Sequence, residues 1–125
     1  MKIMIVEDDA LIALELERIV EDAGHELVGT FATSERALAY AMKADAALVD
    51  LGLADGQSGA ALGRRLIDQN NMKVIYVTGS PAKVGSGIDG AVDVVSKPFS
   101  DRRLLDALCK AALPSRREAN LAIVR

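Results

Sequence analysis

Five short, mostly apolar runs, at residues 3–6, 27–31, 46–49, 74–77 and 92–95, alternate with stretches whose apolar residues recur every three or four positions. This alternation restricts the possible folds more than any other feature of the chain. Runs that are apolar almost throughout need burial on both faces, which a parallel sheet covered by helices provides. Strand and helix signals in strict alternation predict an α/β domain, a doubly wound five-stranded parallel sheet with helices on both faces and right-handed crossovers. In such sheets ligands lie outside the carboxyl ends of the strands, at the point where the winding reverses.

The helical stretches have readable ends. Residues 10–23 predict a helix with Leu11, Leu14, Ile19 and Val20 near one face and Glu15, Glu17, Arg18, Glu21 and Asp22 on the wet one. Asp9 is its expected N-cap and Gly24 its expected stop. Ser34 is expected to cap a helix over residues 35–43, and Ser58 to start one running through residue 67, after the turn-like Ala54-Asp55-Gly56. Ser100 is expected to cap the last helix, with Leu104, Leu105 and Leu108 as its apolar stripe and Cys109 as half-buried packing beside them. The pairs Arg64-Arg65 and Arg102-Arg103 are expected on solvated helix faces, and His25 in an exposed loop.

Composition narrows the setting. The chain has 125 residues, of which 50% are apolar and 3% aromatic, so Ala, Leu, Val and Ile must fill the core of one domain. A formal net charge of −3 argues against direct nucleic-acid binding, which favours a basic surface. One cysteine, Cys109, excludes an internal disulfide and fits a reducing compartment. No run approaches the ~18 consecutive apolar residues of a membrane span. The first apolar run meets Glu7-Asp8-Asp9 too early for a signal-peptide core. The expectation is a cytoplasmic domain with no membrane contact.

The strand-end rule sorts the polar residues. Glu7, Asp8 and Asp9 follow the first run, Asp50 ends the third, Thr78 ends the fourth and Lys97 follows the fifth. One crevice can hold them all. An acidic residue after a strand is often only a helix N-terminus, favoured by the macrodipole, and that accounts for Asp9. Glu7, Asp8 and Asp50 need more, because two carboxylates about 4 Å apart repel by roughly 4 kcal/mol at an effective dielectric near 20. A hard divalent cation with oxygen ligands answers that repulsion, and Mg²⁺ prefers one or two carboxylates together with phosphate oxygens. A lysine and a hydroxyl on the same edge suit a phosphoryl group, and a carboxylate can be its acceptor.

The segments "IMIVEDD", "ALVDLGLADGQSG", "VIYVTGS" and "SKPF" occur in that order, each at a strand end. With them the chain resembles the receiver domain of bacterial two-component response regulators, from residue 1 to about residue 113. The resemblance implies the flavodoxin-like strand order 2-1-3-4-5. It implies that Asp50 is the phosphoacceptor, taking a phosphoryl group from a sensor histidine kinase or phosphotransfer protein. It further implies Mg²⁺ held by Asp8, Asp50 and the carbonyl of Gly52, with Glu7 bound through water or a hydrogen bond. Lys97 would pair with Asp50 and then with the phosphoryl oxygens, and Thr78 would donate its hydroxyl to them. The Lys97-Pro98 bond resembles one that the family often holds cis. Such a domain promotes its own phosphorylation and dephosphorylation rather than acting as an enzyme on other molecules.

Two departures stand out. Three residues before Lys97, where the family usually carries an aromatic side chain that swings on phosphorylation, stands Val94. A β-branched side chain has a stiff χ1 and no ring to swing. The stretch between Thr78 and Lys97 holds Gly79, Gly85, Gly87 and Gly90, and each glycine in a helix interior costs ~1 kcal/mol against Ala. The fourth helix is therefore expected to be short or disordered, with a disorder-to-order change of residues 79–91 as one form of output. Residues 114–125, "PSRREANLAIVR", are expected to form a frayed tail with no output domain. The implied function is a monomeric or weakly dimeric phosphoacceptor that switches the binding of a downstream protein. The alternative is a receiver-fold interaction module that signals without phosphorylation. A flavodoxin-like cofactor binder is disfavoured, because no glycine-rich phosphate loop follows the first strand and acids there repel a flavin phosphate.

Overall fold

A computed structural model describes residues 1–53, 59–79 and 90–114. Five strands, β1 (Lys2–Val6), β2 (Glu26–Phe31), β3 (Ala46–Asp50), β4 (Lys73–Thr78) and β5 (Asp93–Ser96), form one parallel sheet in the order β2-β1-β3-β4-β5. Four helices connect or follow them among the described residues: α1 (Ala10–Asp22), α2 (Ser34–Tyr40), α3 (Gly59–Asn70) and α4 (Asp101–Ala112). The doubly wound sheet is as the alternation of runs predicts. The expected fourth crossover helix falls on residues 80–89, the expected tail on 115–125, and Ser58 and the Asp55-Gly56 turn on 54–58. All lie outside the described residues.

The period-two alternation of the central strands divides the core. Ile3, Ile5, Leu48, Ile75, Val77 and Val95 face α1 and α4, meeting Leu16, Ile19, Leu104 and Leu108. Met4, Val6, Val49, Val74 and Tyr76 face α2 and α3, meeting Ala37, Leu62 and Leu66. Each large apolar side chain so buried contributes about 1.5–3 kcal/mol. Both faces of the sheet are consumed, so its polar strand ends are left to carry chemistry.

The predicted caps are largely those observed. The Asp9 carboxylate accepts from the amides of Leu11 and Ile12 at 3.0 and 3.2 Å. Gly24 follows α1 at φ +87°, a left-handed backbone that glycine adopts without strain. Ser100 Oγ accepts from Arg103 N at 3.1 Å. The cap of α2 is Thr33 rather than Ser34, since Thr33 Oγ1 accepts from Arg36 N at 3.3 Å and Ser34 is the first helical residue.

The buried face of α1 differs from the predicted one. Ala13, Leu16, Ile19 and Val20 are buried, whereas Leu11 and Leu14 are 79% and 62% exposed. Ile19 and Val20 fit either phase of the helix, and α1 settles with Leu16 rather than Leu14 towards the sheet. On α4, Leu104 and Leu108 are buried but Leu105 and Cys109 are exposed; a sheet-facing stripe at spacing 3–4 takes Leu104, Ala107, Leu108 and Ala111 instead. Arg64 faces solvent and forks onto Asp68 at 2.9 and 3.0 Å, one turn along α3. Arg103 is not a purely solvated residue. It forks onto Asp93 at 2.8 and 2.9 Å and reaches the Val94 carbonyl at 3.0 Å, fastening α4 to β5. No helix among the described residues is long and apolar enough to cross a membrane.

Candidate functional site

The carboxyl edge of the sheet collects the polar residues that the apolar strands deliver there. Glu7, one residue past β1, is 3% exposed; Asp50, the last residue of β3, is 7%; Thr78, the last of β4, is 5%. They are held at this edge by the register, in which Val6 pairs Val49 and Asp50 pairs Val77. Asp8 is exposed beside them. One carboxylate oxygen from each of Glu7, Asp8 and Asp50 falls within 4.8 Å of the others.

Lys97 reaches into this cluster from the end of β5. Its backbone amide donates to the Thr78 carbonyl at 2.8 Å, which anchors the loop after the strand. Its Nζ then lies 2.8 Å from Glu7 Oε1 and 3.3 Å from Asp50 Oδ1. The Lys97-Pro98 peptide is cis. Gly52 N donates to Asp50 Oδ1 at 3.1 Å, and Asp9 N to Glu7 Oε2 at 3.2 Å. The sequence reading pairs Lys97 with Asp50 alone; the shorter contact to Glu7 has no signature in the sequence, because it depends on where a long side chain ends.

The electrostatics follow from one cation facing three carboxylates. Burial pushes Glu7 up to about 7, against the pull of Lys97 and with help from neighbouring Asp50. Burial also pushes Asp50 upward, but hydrogen bonds from the Glu7 carboxyl, the Gly52 amide and Lys97 outweigh it and hold Asp50 below the usual carboxylate range. Burial opposes the charge on Lys97, and Glu7 and Asp50 together keep its pKa raised. In the metal-free fold a proton is therefore held more readily by Glu7 than by Asp50. Asp50 is the more readily ionised of the two.

This donor set suits a hard cation. All its side-chain donors are carboxylate oxygens, the negative charge exceeds what Lys97 balances, and exposed Asp8 gives access from solvent. Magnesium needs few protein carboxylates and keeps waters, so three acids of which one is open to solvent fit it.

Structure also brings in residues that motif reading passes over. Gly59, the first residue of α3, lies against the backbone of Asp50 so closely that a Cβ there would overlap the Asp50 carbonyl oxygen. Tyr76 pairs Val94 across β4 and β5, on the sheet face that packs against α2 and α3. The spacing of Gly59 and Gly63, one helical turn apart, is the available sequence signal.

Acids from two neighbouring strands, at the point where the winding of a 2-1-3-4-5 sheet reverses, with a lysine from its edge strand between them, define a receiver domain. The chain belongs to that family. The family model described as "Response regulator receiver domain" matches residues 3–109. The phyllosphere-induced regulator PhyR of Methylorubrum extorquens is 31% identical over 97% of this chain and 48% of its own length. Among solved structures, the receiver domain of Erythrobacter litoralis PhyR superimposes with a TM-score of 0.81 at 30% identity, covering 91% of this chain and 94% of that one. The anti-anti-sigma factor PhyR of Bartonella quintana superimposes with a TM-score of 0.79 at 32% identity, covering 98% and 51%. The chain thus spans about half the length of the Methylorubrum and Bartonella proteins.

Proposed function

We propose that Asp50 accepts a phosphoryl group and that the phosphorylated domain changes its binding to a partner protein. The observation that carries this reading is the setting of Asp50. It is buried, its pKa is held below the usual carboxylate range, and its Oδ1 is held by Gly52 N at 3.1 Å and Lys97 Nζ at 3.3 Å, beside the Glu7 and Asp8 carboxylates.

In the proposed reaction an Asp50 oxygen attacks the phosphorus of a phosphohistidine on a sensor kinase or phosphotransfer protein. The new O–P bond forms as the P–N bond breaks, and the departing histidine nitrogen keeps the electron pair and takes up a proton. Glu7, Asp8, Asp50 and the Gly52 carbonyl are the residues proposed to hold Mg²⁺, which would neutralise phosphoryl charge. Lys97 turns from Glu7 and Asp50 to the phosphoryl oxygens, and Thr78 supplies a hydroxyl hydrogen bond to them. Positioning and charge neutralisation provide most of the catalysis in such a transfer.

The Bartonella relative is an anti-anti-sigma factor. Its example supports an output in which a protein that carries a receiver acts on another protein. The domain is read as a phosphoacceptor that acts on a downstream protein rather than as an enzyme. Signalling without phosphorylation is the weaker reading, because it leaves Lys97 and three converging carboxylates without a role. Intact mass after incubation with Mg²⁺ and a small phosphodonor tests the proposal. Gain of one phosphoryl group, abolished in Asp50→Asn, is expected; no gain in the wild type contradicts it.

A further inference from the structure

Tyr76 carries a buried hydroxyl that the phosphoryl chemistry leaves unused. It is 2% exposed, and its hydroxyl donates to the Ala60 carbonyl in the first turn of α3 at 3.2 Å. The phenol fits there because residue 63 is glycine: a Cβ at that position would overlap the Tyr76 hydroxyl oxygen. One turn earlier on the same helical face is Gly59, where a Cβ would overlap the Asp50 carbonyl oxygen.

The first turn of α3 therefore lies directly on the backbone of Asp50, with no side chain between them. It is fastened twice. Gly59 N donates to the Leu51 carbonyl at 3.3 Å, and the Tyr76 hydroxyl holds Ala60. Tyr76 is also two residues before Thr78, so both side chains leave β4 on the same face. The Gly59–Asp50 contact is backbone to backbone and has no rotamer to absorb a displacement, so a shift at the end of β3 is passed to the helix.

Resting on the reading of Asp50 as phosphoacceptor, we propose that Tyr76 is a positioning residue that ties the first turn of α3 to Asp50 and passes a change at Asp50 to α3. It makes α3 a responding surface of the domain, reached without any ring at position 94. The hydroxyl is the coupling atom, and the ring is packing.

The test uses the whole chain and follows amide resonances while Mg²⁺ and beryllofluoride, a phosphoryl mimic, are added. In the wild type, Thr78, Gly59 and Ala61 are expected to shift with one midpoint. Tyr76→Phe keeps the ring and removes one hydrogen bond; there Thr78 shifts as before, while the changes at Gly59 and Ala61 fall about twofold or more. Undiminished shifts in Tyr76→Phe overturn the coupling role. So do α3 amides that stay still while Thr78 moves, a result that leaves the phosphoacceptor reading standing. If neither Thr78 nor Gly52 moves, the phosphoacceptor reading fails and the coupling with it. A second readout needs no change at Tyr76. The chain has two tyrosines and no tryptophan, so in a Tyr40→Phe background 3-fluorotyrosine reports Tyr76 alone. Its fluorine resonance is expected to move with the mimic, and an unmoved resonance beside a shifting Thr78 amide contradicts the proposal.

Discussion

Lys97 Nζ sits 2.8 Å from Glu7 Oε1, a charge-assisted contact between a side chain 19% exposed and one 1% exposed. Removing one partner of such a pair leaves an uncompensated buried charge. Lys97 thus offsets part of the cluster's negative charge in the metal-free fold, and in the proposed reaction it turns to the phosphoryl oxygens once Mg²⁺ supplies that charge.

Lys97→Ala should separate those two roles. Loss of the lysine removes a cation that competes for the cluster, so Mg²⁺ affinity is expected to hold or rise. Response to phosphorylation is expected to be lost. Calorimetric Mg²⁺ titration alongside the binding of a phosphoryl mimic measures both. A variant that loses Mg²⁺ binding would show that Lys97 instead organises the site.

Glu7 gives the site a pH signature. Its pKa is raised from 4.5 to about 7 in the metal-free fold, chiefly by burial. The folded chain therefore binds this proton more tightly than the unfolded one. The stability this contributes is full below about pH 4.5 and is lost as pH rises through about 7. Melting temperature measured in chelator is expected to fall across that window, and Mg²⁺, which binds the deprotonated cluster, is expected to offset the fall. Mg²⁺ affinity should increase over the same range. Glu7→Gln should flatten the metal-free profile.

Asp93 behaves in the opposite sense. Its hydrogen bonds from Arg103, against some desolvation and with help from Lys110, hold its pKa below the ordinary 3.8. The stability it contributes is present above the unfolded value and disappears as pH falls through the folded one. Asp93→Asn is expected to cost about 1.5–3 kcal/mol at neutral pH, the range for a hydrogen bond to a charged group. Urea denaturation at pH 7 and below pH 4 checks this, and the difference from wild type should shrink in acid.

The two candidate phases of α1 can be told apart by mutation. Leu14→Ala is expected to change stability by no more than about 0.5 kcal/mol, because the side chain faces solvent. Leu16→Ala, at 1% exposure, should cost about 2–5 kcal/mol. Equal losses would mean that Leu14 is packed.

That helix also marks how far the sequence could be read. Runs such as 3–6 and 46–49, buried on both faces, leave little choice but a covered parallel sheet, and strand ends then locate Glu7, Asp50, Thr78 and Lys97 at one edge. Local hydrogen-bond chemistry marks Asp9 and Ser100 as caps. Where two phases were nearly degenerate, as for Leu11 and Leu14 on α1, only tertiary packing decides. The same holds for Leu105 and Cys109 on a helix whose buried stripe uses alanines. The Asp93–Arg103 fork and the Tyr76–Ala60 contact join residues from different elements, and neither residue type alone announces a partner. Thr33 and Ser34 are adjacent residues of equal capping chemistry, so choosing between them required the backbone.

The claim on which the account turns is that Asp50, among the neighbouring carboxylates, receives the phosphoryl group. Borohydride reduction of the freshly phosphorylated protein converts an aspartyl phosphate to homoserine, and peptide mass spectrometry then places it. The account predicts homoserine at position 50 and unmodified Asp8 and Asp9, with all signal lost when Mg²⁺ is chelated. Homoserine at position 8 or 9, or none anywhere in a protein shown to be folded, would contradict it.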